Sequence, residues 1–212
     1  MSRAIKLLLH PVRSLLLRVL PALGVLYAVL LPAQLSLFSS DDVLEATRRM
    51  FSLAQIFLPL ALLWPLFLYF LPVYSATSRE VLTAMGHPDG RCALLLWISH
   101  QIRTLPLYLL YWKLAPEEGQ MLLLIFLQSI FLCVGFITLL LIFHSAIVSM
   151  VLLVAYLSVA LLLPSNALPI LIQNNNLWYD LPASYFPTRI VILVIEVICL
   201  LIVKRHNRPR RR

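Results

Sequence analysis

Apolar residues run along this chain in blocks, and short polar breaks separate them. The blocks cover residues 19–38, 51–73, 92–114, 120–143, 146–163 and 183–203. Each is close to the roughly 20 residues a helix needs to cross a bilayer core. The last block is a short apolar run over 190–203, broken by Glu196, and it reaches full length when extended back to Ala183. Residues 1–18 differ, because Arg3, Lys6, Arg13 and Arg18 alternate with leucines. That pattern predicts an amphipathic helix lying in the membrane interface, bent at Pro11. A signal peptide is the rival reading, and the run after Arg18 lacks a clean small-x-small cleavage site before Ser39. Pro59, Pro65 and Pro72 fall inside the second block. Membrane helices tolerate such residues when neighbours cover the freed backbone.

Composition fixes the class. The chain is 61% hydrophobic and 12% charged, with mean hydropathy +0.92. These values predict an all-α integral membrane protein. The net charge of +8 does not point to nucleic acid, because the basic residues sit at the chain ends and beside the apolar blocks. With the N-terminus inside, the inner side holds Arg3, Lys6, Arg13, Arg18, Arg79, Arg91 and the basic tail from Lys204. The outer side holds Arg48, Arg49, Lys113 and Arg189, together with most of the acids. This asymmetry predicts six transmembrane helices with both ends cytoplasmic. The bacterial cytoplasmic membrane is the expected location.

The polar stretch Y-S-A-T-S-R-E-V-L-T-A-M-G-H-P-D-G-R, residues 74–91, carries balanced charge and helix signals. Ser78 can cap a short helix from Arg79, and Glu80 in its first turn suits the helix dipole. Gly86 and Pro88 should stop that helix. A second helix is expected to begin near Cys92. Val81, Leu82 and Met85 fall within one or two turns and could fill a groove on a soluble partner. An ordinary cytoplasmic loop is the plainer alternative.

Six spans, a basic interfacial helix, a short polar helix between spans two and three, a minimal loop after span four and an irregular stretch at 164–188 together resemble the membrane subunit of type-2 ABC exporters. The likeness covers nearly the whole chain as architecture. Its local element is residues 78–91, which resemble the cytoplasmic coupling helix of that class through Glu80, Met85, Gly86, Pro88 and Arg91. Span three departs from the pattern, being more polar than in a plain exporter. The resemblance implies a permease that does no covalent chemistry. A separate cytosolic ATP-binding subunit, holding ATP and magnesium, would dock on Arg79, Glu80, Val81, Leu82, Met85, Gly86, His87, Asp89 and Arg91. A second permease copy, or a similar permease, would complete the pathway in the lipid. Residues 164–188 would dip back into the outer leaflet; an exposed loop anchored by Trp178 and Tyr179 is the alternative.

Other chemistry finds little support. No Gly-rich phosphate loop is present, so the chain does not bind nucleotide through one. His10, His87, His100, His144 and His206 show no helical ligand spacing, which argues against a metal site. Ser99 and His100 are adjacent, as are His144 and Ser145, so neither pair can share a helix face as a catalytic dyad. Asp41 and Asp42 lack the spaced acids of a magnesium-diphosphate site. Cys92, Cys133 and Cys199 form no redox motif. No cofactor is expected in the chain itself, and no enzyme activity. A membrane scaffold or assembly factor binding another soluble protein is the alternative to transport.

Two charged positions fall inside spans. Glu196 costs roughly 2.5–3.5 kcal/mol on insertion scales, so it needs a partner, a proton or water. His100, Arg103 and Thr104 share a helix face with Leu107, Tyr108 and Tyr111. Either Arg103 snorkels to the interface while Glu196 is protonated or packed on a hydroxyl, or Glu196 and Arg103 pair between spans six and three. The pair, or a wet polar pathway lined by His100, Arg103, Thr104 and Glu196, is the sharper expectation.

Overall fold

A membrane-buried backbone must satisfy its own hydrogen bonds, which favours uninterrupted helices. The computed structural model describes residues 3–36, 43–74, 89–116, 119–162 and 185–206, and every element among them is an α-helix. These are α1 (Arg3–Leu35), α2 (Val43–Val73), α3 (Asp89–Leu114), α4 (Gly119–Phe143), α5 (Ala146–Leu162) and α6 (Tyr185–His206). Two of them contain stretches long and apolar enough to cross a membrane, Glu45–Val73 in α2 and Leu122–Phe143 in α4. Val19–Leu35 and Ala146–Val159 are apolar but shorter.

The helix bounds depart from the sequence reading at the N-terminus. α1 continues through Arg18 as one helix, where an interfacial segment and a separate span were expected. A proline removes a single ladder bond, so Pro11 does not oblige the helix to end. α2 starts at Val43, ahead of the apolar block, and an exposed Glu45–Arg49 ion pair lies one turn apart near its start. Such a pair adds only a few tenths of a kcal/mol. α3 begins at Asp89 rather than near Cys92.

α2 and α4 form the centre. α2 packs against α1, α3, α4 and α5, and α4 packs against α2, α3, α5 and α6. Phe51, Leu62, Leu63, Leu66 and Phe70 of α2 and Leu132, Phe136 and Leu140 of α4 are fully enclosed. Side-chain pairs fix the helix directions. Phe51 meets Tyr111 with ring centroids 4.3 Å apart, while the Tyr69 hydroxyl donates to Cys92 Sγ at 3.1 Å, so α2 and α3 are antiparallel. Phe70 and Phe136 lie 6.1 Å apart, and Gln128 reaches Gln55, so α2 and α4 run the same way. Trp97 reaches Ser129, and Cys133 faces the Ala93 carbonyl, so α3 and α4 are antiparallel.

His144 and Ser145 alone join α4 to α5. His144 takes the left-handed backbone conformation, φ 50°, which turns the chain immediately after α4. Its N–H donates to the Leu140 carbonyl at 2.9 Å, and Ser145 Oγ accepts from the Val148 N–H at 3.3 Å. Both bonds occupy groups that helix ends otherwise leave open.

Candidate functional site: a buried polar seam

Proline, glutamine and serine placement builds the site. Pro59 has no N–H, so the Gln55 carbonyl one turn earlier loses its helical donor. Gln128 Nε2 of α4 points to that carbonyl at 3.4 Å. In α3, Tyr27 Oη of α1 donates to the Arg103 carbonyl at 2.5 Å, next to the Ile102 carbonyl that Pro106 leaves without its helical donor. Two turns along α1, Gln34 Nε2 donates to the Leu107 carbonyl at 3.0 Å. Both bonds tie α1 to α3 and set the two helices running in the same direction.

Ser129 of α4 forms the densest node. Its Oγ accepts from Trp97 Nε1 at 3.0 Å and from Gln101 Nε2 at 2.8 Å, and donates to the Phe126 carbonyl at 2.7 Å. The hydroxyl is thus fully used. Thr104 is completely buried and donates to the His100 carbonyl at 2.9 Å. Ser149 of α5 is also completely buried and donates to the Ser145 carbonyl at 2.8 Å.

His100 is 3% exposed; a ring N–H meets the Leu58 carbonyl, and its Nδ1 has no hydrogen-bond partner. Gln34 Oε1 and Gln128 Oε1 are likewise buried acceptors without a partner. Buried polar atoms are costly unless satisfied, so such a set marks places where water or a polar ligand could bind. The seam carries neutral donors and acceptors in a shell of leucine and phenylalanine. Ser129 and Ser149 spend their hydroxyl protons on carbonyls of their own helices, so neither is set up as a nucleophile beside a base. No group of three or more His, Cys, Asp or Glu side chains that could hold a metal occurs among the described residues.

The sequence-derived residues divide into four groups, Glu196 standing apart from the rest. Arg79, Glu80, Val81, Leu82, Met85, Gly86 and His87 of the coupling segment lie outside the described residues, as do residues 163–184 of the outer segment. Asp89 and Arg91 belong by backbone to the first turn of α3. His100 and Thr104 belong to the seam, and Arg103 contributes its carbonyl.

Glu196 is elsewhere, and among the described residues no ion pair joins it to Arg103, the sharper of the two sequence readings. α6 packs on α4, and the Glu196 carboxyl lies over Gly135. Because Cys133 faces Ala93 in an antiparallel register, Gly135 stands near the level of Arg91. At about 1.5 Å per residue, that is about 18 Å along α3 from Arg103.

Sequence reasoning missed Tyr27, Gln34, Gln55, Gln128, Ser129 and Gly135. A signal for the glutamines was present: each is an isolated amide in an apolar block, and polar residues at such positions turn inward or serve function. No family model, curated protein or solved structure matches the chain.

Proposed function

We propose that the chain is a six-span integral membrane protein with both ends cytoplasmic, acting as the permease subunit of an ATP-driven exporter. One observation supports membrane placement above the others. The bundle turns amides, imidazole and hydroxyls inward and leaves outward faces of bulky aliphatic residues, including Leu95, Ile102 and Leu109 on α3 and Val151 on α5. Contiguous apolar surface on this scale suits lipid rather than water. Alternating directions of α2, α3 and α4 agree with successive crossings, and the charge asymmetry of the loops favours an inside N-terminus.

The exporter reading comes from the 78–91 resemblance. A cytosolic ATPase would bind there and, through the start of α3, rock the helices around the seam. The seam supplies hydrogen-bonding groups between helices, including the unpartnered His100 Nδ1, Gln34 Oε1 and Gln128 Oε1, which is the chemistry a polar substrate or ordered water would use. The test is replacement of Glu80 and Met85 together in a permease reconstituted with the cytosolic ATP-binding subunit that this reading requires. Expected is normal membrane insertion with ATP hydrolysis no longer coupled to transport. Normal co-purification and normal stimulation of the ATPase by the doubly changed protein would refute the docking assignment and favour a scaffold.

A further inference from the structure

Glu196 is an acidic side chain that the seam does not use. A Cβ built on residue 135 would stand 2.8 Å from Glu196 Oε1, closer than side-chain carbons come to such atoms, and 3.6 Å from Leu153 Cδ2. Gly135 therefore leaves a notch that receives the carboxyl, with Leu153 of α5 at its edge. The other oxygen, Oε2, is buried and has no hydrogen-bond partner. Neither α4 nor α5 carries a charged side chain: α4 offers the Cys133 thiol and α5 the Tyr156 phenol. On α6 itself, Arg189 lies about two turns before Glu196, exposed Lys204 and Arg205 lie two turns or more beyond it, and His206 follows at the helix end. Among the described residues, no cation forms an ion pair with Glu196.

An ionised carboxylate with an enclosed, unpaired oxygen is strongly disfavoured, whereas the neutral acid can occupy an apolar notch. We infer that Glu196 is a proton-binding site built into the α4–α6 contact, with proton occupancy controlling how firmly α6 docks. α6 is well placed to respond. It packs chiefly on α4, and none of its described side chains reaches full burial. Loss of the proton would force the carboxylate towards water and draw α6 off the Gly135 notch. In the proposed orientation the notch lies near the cytoplasmic end of the bundle, level with the first turn of α3, so the proton would exchange with the cytosolic side. This inference rests on the membrane placement of α4 and α6 and not on the ATPase assignment.

Linkage gives the sign. The notch fits the neutral acid and leaves an ionised carboxylate with an enclosed, unpaired oxygen, so ionisation of Glu196 opposes folding and stability falls as pH rises. The experiment is thermal melting of the full purified chain in detergent, from about pH 5 to about pH 9. Expected is a wild-type Tm that falls by about 3 °C or more relative to Glu196→Gln across that range, the amide being unable to ionise. A difference between the two proteins that does not change with pH would overturn the inference.

Labelling of the wild type provides a second readout that needs no variant. An apolar carbodiimide takes the proton of a neutral carboxylic acid on its nitrogen, while the carboxyl oxygen bonds to its central carbon. Glu196 should be modified near neutral pH and protected at alkaline pH, and exposed Glu45 should stay unmodified at both. No adduct at Glu196 at either pH, or protection that follows sodium concentration rather than pH, would also overturn it.

Discussion

Ser129→Ala tests the seam most directly. The wild-type hydroxyl accepts from Trp97 Nε1 and Gln101 Nε2, two donors from one face of α3. Alanine removes that acceptor and leaves both donors facing an enclosed methyl group. The lost donation to the Phe126 carbonyl costs less, since a helical carbonyl keeps its backbone donor. An unsatisfied buried donor costs about 1–3 kcal/mol in a protein interior. Interhelical hydrogen bonds inside membranes average nearer 0.6 kcal/mol, because the unfolded chain also finds partners. Two orphaned donors therefore set an expected loss of about 1–3 kcal/mol, most of it from Trp97, whose indole has no other polar atom. At about 2–4 °C per kcal/mol for a chain of this size, Tm should fall by about 2–12 °C.

The assay is thermal unfolding of purified protein, run as a double-mutant cycle with Trp97→Phe. Phenylalanine removes the indole donor and preserves the edge-to-face contact with Phe126, whose ring centroid lies 5.4 Å away. If the node holds α3 to α4, Ser129→Ala should cost clearly less in the Trp97→Phe background than in the wild type. Strict additivity, or a loss below about 0.3 kcal/mol for Ser129→Ala alone, would refute the reasoning.

Two further predictions concern single positions. Gly135→Ala should be nearly neutral, because the far end of the Glu196 side chain can retreat and alanine gains about 1 kcal/mol of helix propensity; Gly135→Leu should lose about 1–3 kcal/mol from overpacking, and equal denaturation midpoints for the two variants would show that the notch is not close-packed. Gln34→Leu removes both the bond to the Leu107 carbonyl and the unpartnered Oε1, so stability should stay within about 1 kcal/mol while any substrate-linked activity falls, and a large stability loss with activity intact would make Gln34 a structural strut instead.

Much of the helical layout is legible in the sequence. Apolar blocks about as long as a bilayer is thick leave the backbone no better solution than a helix, and polar breaks such as His144–Ser145 mark where one must end. Interior position was legible for His100 and Thr104 from their shared face, but less so for Gln34, Gln55 and Gln128, whose blocks are apolar on every side and carry no amphipathic stripe to orient them. Continuity of α1 through Arg18 was also hidden, because a basic stripe and a proline suit either a bent interfacial helix or a single long one.

Tertiary structure alone decided which side chains meet. The partner of a residue in a bundle depends on the direction, rotation and axial offset of two helices, and none of these is written in the spacing along either one. Glu196 shows the consequence. Its charge called for a partner, a proton or water, and Arg103 had the complementary charge, but α6 packs on α4 at a level about 18 Å away along α3. The absence of a side chain at Gly135, rather than the presence of a cation, determined where the carboxyl came to rest.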